Sequence, residues 1–218
     1  MRPRAIVGRR WVALVSVGVG LAAVARMRYL RWGATGDEVN LTLPGDELLP
    51  RADVTSTRAI TIHVAAHEVW PWLAQLGQGR GGFYSYDWLE NLVGADIHNA
   101  DAIAPQWQHL DVGDQVMLAR NVPLTVALVE PGRALVLRGG VPMGAVAAPY
   151  DFTWAFVVRD APGGSTRLVV RERYCYTRWW AALIVEPAEV VSSLMSPQMM
   201  RGIKQRAERP HGGSDLAA

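Results

Sequence analysis

Residues 57–92, TRAITIHVAAHEVWPWLAQLGQGRGGFYSYDWLENL, constrain the fold more than any other part of this chain. Arg58–Val64 alternates, with Ile60, Ile62 and Val64 on one face, and so predicts a first strand. Ala66–Leu76 then carries Val69, Trp70, Leu73 and Leu76 at helical spacing. Pro71 is best tolerated in a first turn, which starts that helix near His67. Gln78–Phe83 (QGRGGF) breaks it, and Tyr84–Val93 brings Trp88, Leu89, Leu92 and Val93 together as a second short helix ending at Gly94.

Short strands follow at hairpin spacing: Gln115–Ala119, Leu124–Glu130, Ala134–Arg138, Tyr150–Arg159 and Arg167–Thr177. Asn121-Val122-Pro123, Pro131-Gly132 and Pro162-Gly163-Gly164 separate them with turn chemistry. Gly139–Pro149 is apolar but broken by Gly and Pro, and reads as a loop over a cavity mouth. Pro187–Glu208 reads as one long helix, with Pro187 in its first turn and Pro197 as a kink.

Charge divides the 218-residue chain. Residues 1–31 hold seven Arg and no acid, giving +7, and the remaining 15 basic and 20 acidic residues give −5. A basic tail on an acidic body argues against a nucleic-acid surface and for an anionic partner such as lipid headgroups. Within the tail, Trp11–Ala25 (WVALVSVGVGLAAVA) carries no charge. As a helix it reaches only about 22 Å, against a hydrocarbon core of roughly 30 Å. It fits an uncleaved anchor with Trp11, Tyr29 and Trp32 at the interfaces, or a signal peptide cleaved after Ala23-Val24-Ala25. The expected organisation is a membrane segment over 1–32, a linker over 33–56 whose Leu41, Leu43, Leu48 and Leu49 contact the domain surface, a domain over 57–208, and a disordered tail over 209–218. Cys175 is the lone cysteine, which excludes an intrachain disulfide.

A strand, two short helices, five antiparallel strands and a long C-terminal helix is an order that resembles the START-like (SRPBCC, polyketide cyclase/lipid-transport) superfamily, in an actinobacterial-type form. The resemblance rests on the AAHEVWPWLAQLG helix, the GRGGFYSYDWLENL segment and the WAFVV and TRLVVRERY strand pair, and covers about residues 57–208. It implies an α+β helix-grip (Bet v 1-like) fold, in which a curved antiparallel sheet wraps a long C-terminal helix and the space between them holds an apolar ligand.

In that frame, alternation turns Phe152, Trp154, Phe156 and Val158 inward on one strand, and Leu168, Val170, Glu172, Tyr174 and Tyr176 on the next, leaving Arg171 and Arg173 in solvent. Glu172 is the exception on an apolar face. Burial requires it to find a partner such as an Arg or to hold a proton, and it is the candidate ligand anchor or general acid/base. Phe83, Tyr84 and Trp88 are placed at the cavity rim. On the last helix Val191, Leu194, Met195, Met199 and Ile203 fall near one face, with Leu194, Met195 and Met199 as ligand-lining candidates.

Other chemistries lack their motifs. QGRGGF joins two helices and is not followed by Gly-Lys-Ser/Thr, so it is not a phosphate loop, although Arg80 there offers a contact for an acidic group. Asp96–Asp101 matches no metal spacing, no cofactor is implied, and no Ser sits in a nucleophile-elbow context. The leading reading is a non-catalytic, membrane-tethered protein that binds or transfers a hydrophobic small molecule, lipid or polyketide-like. A cyclase/dehydratase-type enzyme using Glu172, Tyr174 and Tyr176, and an interaction module filled by its own side chains, are the alternatives.

Overall fold

The computed structural model describes residues 24–86, 96–141 and 147–209. The part of the predicted second helix that contains Trp88, and nearly all of the apolar run Trp11–Ala25, lie outside them. Among the described residues no helix is long and apolar enough to cross a membrane.

The chain runs α1 (residues 24–30), α2 (Gly36–Asn40), a 3-10 turn (Asp46–Leu48), β1 (Val54–Ile62), α3 (Ala66–Ala74), β2 (Gln115–Ala119), β3 (Val122–Glu130), β4 (Ala134–Gly139), β5 (Tyr150–Ala161), β6 (Ser165–Tyr176) and α4 (Ala182–Ala207). The strands form one antiparallel six-stranded sheet in the order β1-β6-β5-β4-β3-β2. The α+β architecture of a six-stranded antiparallel sheet against a long C-terminal helix matches the expectation. Its spine is the β5–β6 hairpin, two strands of twelve residues each, closed at Pro162-Gly163-Gly164, where both glycines take positive φ that side-chain-bearing residues resist.

Several boundaries differ from the sequence reading. β1 begins at Val54, so four residues assigned to the linker and strand edge pair with β6. Val122 and Pro123 join β3 rather than its turn. Pro123 pairs only with Met117 of β2, beyond the point where β4 pairing begins at Thr125, so its missing N–H removes no bond from β4. Pro71 and Pro187 each lie sixth in their helices rather than in the first turn. The carbonyls they leave without a helical donor belong to His67 and Leu183, second residues of those helices and both exposed, where water can serve.

α3 and α4 cover one face of the sheet. Ile62, Val69, Leu73, Phe156, Leu168, Met199 and Ile203 join in one buried cluster there, each side chain contributing about 1.5–3 kcal/mol. Close approach is built in at Gly202 of α4, where a Cβ would collide with the Tyr84 backbone.

The opposite face is not open to water, which corrects the placement of Arg171 and Arg173. Residues 33–53 cross it as a strap, and Leu43 packs with Ala59, Val136, Ala155, Val157 and Val169 in a second buried cluster joined by Leu48. Arg171 is 2% exposed. Its Nε donates to Thr57 Oγ1 (2.9 Å), Nη1 to Leu41 O (2.8 Å) and Asp46 Oδ2 (2.6 Å), and Nη2 to Glu38 O (2.8 Å) and Val39 O (3.1 Å). Arg173 donates to Leu49 O, and Arg167 to Gly33 O and the Glu38 carboxylate. Alternation gave the correct face but not what lies over it. Tyr29 and Trp32, expected at a membrane interface, are partly buried and pack against the core, with Arg201 stacked 5.0 Å from the Trp32 ring centre.

Candidate functional site

The inner face carries an aromatic wall and a polar cluster beside it. Alternation on β5 and β6 places Phe152, Trp154, Phe156 and Tyr174 there, all buried. Phe83 stacks on Trp154 (centroids 5.7 Å), Trp154 contacts Phe156 (4.8 Å), and Phe152 contacts Tyr174 (4.7 Å). Phe83 and Tyr84 are therefore wall rather than rim. Tyr84 donates its hydroxyl to Trp72 O (3.1 Å), and burial pushes that hydroxyl's pKa up to about 12.

Glu172 finds its partner in Arg58, which the strand register turns inward with Ile60 and Ile62. Arg58 Nη1 donates to Glu172 Oε1 (3.1 Å) and Ser56 Oγ (3.0 Å), while Nη2 donates to Glu189 Oε1 of α4 (2.6 Å). Ser192 Oγ donates to the Glu172 carboxylate at 2.7 Å, and Ser196 Oγ donates to it at 3.0 Å. The Tyr174 hydroxyl lies 3.5 Å from its second oxygen. Glu172 is thus a carboxylate surrounded by donors.

One cation faces two carboxylates here, in a place where water cannot screen them. Burial first, and the Glu172 charge second, push the Glu189 pKa up to about 8, against the opposing pull of Arg58. Near neutral pH Glu189 therefore holds a proton. Since Oε1 accepts from Arg58, the proton belongs on Oε2, which is buried and has no partner among the described residues. Trp154 Nε1 is a second buried donor without a partner, and Arg58 Nε a third. Buried donors normally find acceptors, and these three face the inner side of the sheet, while Arg80 Nε is a fourth such atom away from it.

The remaining candidates fall in different places. Tyr176 turns its hydroxyl to Glu186 (3.5 Å), which holds Arg26 from α1 (2.7 Å) at the surface. Met199 is buried and Met195 half-buried, with Ser85 Oγ 3.4 Å from the Met195 carbonyl. Leu194 is 63% exposed and Val191 is exposed too, which corrects the predicted face of the helix. The inward series is Val185, Glu189, Ser196, Met199 and Ile203, and its polar members hid the true phase from an apolar count. Trp88 lies outside the described residues. Arg80 donates to Ala74 O and Trp107 O (both 2.8 Å), a structural use. In the Asp96–Asp101 loop, Asn99 accepts from Tyr84 N (2.5 Å), and Asp101 pairs with Arg206 (3.1 Å).

Arg58 was the residue most accessible to sequence reasoning and was missed. It shares the parity of Ile60 and Ile62, so the rule that turned them inward turned it inward as well. A separate surface cleft of about 450 Å³, lined by Tyr84, Ser85, Asp101, Gln198, Gln205 and Arg206 among others, is polar and meets the aromatic wall only through Tyr84.

No protein-family model matches the chain, and no curated protein matches it. Solved structures similar to it include protein MLL2253 from Mesorhizobium loti, with 16% identity over 72% of this chain and 98% of that one and a TM-score of 0.43. CalU16 from Micromonospora echinospora is similar at 17% identity over 71% of this chain and 83% of that one, with a TM-score of 0.35. Protein Ms6760 from Mycobacterium smegmatis is similar at 13% identity over 72% of this chain and 92% of that one, with a TM-score of 0.45. These values are low, and the functional reading rests on this chain's own residues.

Proposed function

We propose that the chain is a START-like binding protein, tethered to a membrane by its N-terminal apolar segment, that holds or transfers a hydrophobic small molecule between the sheet and α4. The ligand has an apolar body, of lipid or polyketide type, and an acceptor oxygen such as a carbonyl. The observation that carries this is the unpartnered indole N–H of Trp154, buried within the ring series Phe83, Phe152 and Phe156. Apolar surface supplies affinity, and a few placed donors fix orientation.

Mass spectrometry of an organic extract of the purified full chain tests it. A stoichiometric apolar compound is expected. Trp154→Phe keeps a ring but removes the donor, and should weaken retention about five- to tenfold, the value of one hydrogen bond. An empty extract from folded, monodisperse protein would overturn the reading in favour of an interior filled by its own rings.

A second reading, a cyclase/dehydratase-type enzyme on a polyketide-like substrate, is favoured only by the proton on Glu189. Glu172, held by Arg58 and two serines, is poorly suited to moving a proton, whereas Glu189 carries one near neutral pH. In that case Glu189→Gln abolishes turnover and leaves binding intact, while loss of binding with no turnover in the parent protein supports the carrier.

A further inference from the structure

The outer stripe of α4 changes character halfway along the helix. Between Ala182 and Leu194 the exposed positions are Leu183, Pro187, Ala188, Val190, Val191 and Leu194, every one of them apolar. Leu183 is 75% exposed and Leu194 63%. Further along the same stripe, Arg201 and Gln205 are exposed and polar, as an ordinary solvent face requires. The apolar half is not explained by the interior, since the opposite side of α4 carries the buried Val185, Glu189 and Ser196.

Its surroundings extend the patch. Trp179, 90% exposed, stands just before α4. Glu186, the one acid near the stripe that is not buried, takes Arg26 in a two-oxygen ion pair (2.7 and 2.9 Å) that holds α1 alongside. α1 adds Val24 and Met27, both about half exposed. Arg28, Arg31 and Arg178 are exposed, and no acid occurs in residues 24–32 or 177–185.

We propose that this half of α4, together with Trp179 and the exposed side of α1, docks on the surface of an anionic lipid bilayer. An apolar helix face with an amphipathic aromatic ring and a basic border is the composition that lies in a membrane interface. The chain itself favours this occupant over the others. Trp11–Ala25 leads directly into α1 and contains one Ser and no charge. Laid against α4, it would cover one apolar surface and present another to water, whereas a bilayer accepts both. A second copy related by two-fold symmetry would set this basic border in one interface with an identical basic border, with no acid in residues 24–32 or 177–185 to pair with either.

The full chain in vesicles of phosphatidylcholine and phosphatidylglycerol provides the test. Spin labels are placed by Leu183→Cys, Val190→Cys, Leu194→Cys and Gln205→Cys in a Cys175→Ser background, all four at exposed sites that leave the core intact. The first three should collide with oxygen several-fold more, and with a water-soluble nickel chelate several-fold less, than the label at position 205. Equal nickel access at 194 and 205 would overturn the proposal. So would cross-linking of position 194 to residues 14–21, which assigns the face to the chain's own segment, or short label-to-label distances between copies, which assign it to a dimer. The outcome does not depend on what the inner face binds, so an empty organic extract and a failed docking test are separate results.

Discussion

Buried arginines occupy both faces of the sheet, and they are used in opposite ways. Arg171, under the strap, places all five of its N–H groups on acceptors: a threonine hydroxyl, an aspartate and three main-chain carbonyls. Arg58, under α4, binds two carboxylates but leaves Nε without a partner, beside a Glu189 oxygen in the same condition. On the strap side two cations, Arg171 and Arg173, share Asp46. On the helix side one cation serves two acids. The strap face is a completed clasp with its polar groups satisfied. The inner face holds buried polar atoms without partners among the described residues, as the proposed binding site requires.

Removing Arg58 should have the largest effect, because it leaves the Glu172 carboxylate buried without a counter-charge beside Glu189, which loses its main hydrogen-bond donor. Arg58→Met is expected to cost roughly 3–5 kcal/mol, or to prevent folding, in urea denaturation near neutral pH. Combining it with Glu172→Gln and Glu189→Gln should recover most of that loss, since the penalty arises from the stranded charges. A triple variant as unstable as Arg58→Met alone would show that the arginine contributes by packing instead. Arg171→Met should cost less, roughly 2–3 kcal/mol, because most of the acceptors it abandons are neutral and Asp46 keeps Arg173.

This asymmetry explains what the sequence could convey. Strand alternation with turn chemistry located five of the six strands to within a few residues, and the inward rows of β5 and β6 were legible because apolar residues mark them. The strap was not legible as a layer. Residues 33–53 are rich in Gly, Pro and acids, and their packing depends on three arginines of β6 more than a hundred residues away. The phase of α4 was misread for a related reason. Met199 and Ile203 of the predicted face are buried, but Val191 and Leu194 are exposed, because the inward face before Met199 carries Glu189 and Ser196 and a hydrophobic count passes them over. Buried polar pairs and exposed apolar residues both invert the periodicity signal, and here both occur on one helix.

A pH series separates the faces without disrupting either. Glu189 faces Arg58 of β1 and Glu172 and Tyr174 of β6, and its pKa of about 8 lies above the value of 4.5 that it takes when unfolded. Between those values the folded state binds more protons than the unfolded state, so stability falls as pH rises from about 4.5 to about 8. The slope from this group approaches about 1.4 kcal/mol per pH unit. Glu189→Gln should flatten that part of the profile and be the more stable form at pH 8. Parallel profiles for parent and variant would show that Glu189 is ionised throughout.

The smallest effect belongs to the strap and has the opposite sign. Glu38 closes a capping box on α2, accepting from Thr35 N (2.7 Å) while Thr35 Oγ1 accepts from Glu38 N (3.2 Å), and its carboxylate also receives Arg167 Nε (2.7 Å). The hydrogen bond from Arg167 is the main reason its pKa drops to about 2. The folded state therefore binds fewer protons than the unfolded state below 4.5, so this contribution is fully present at neutral pH and lost as pH falls toward 2. Glu38→Gln keeps an acceptor for the cap but removes the charge, and should cost about 1 kcal/mol at pH 7, given partial screening by solvent. The difference from the parent should disappear near pH 2. A cost that persists there would mean that the side-chain geometry of the cap, and not the Arg167 pair, holds the strap to the sheet.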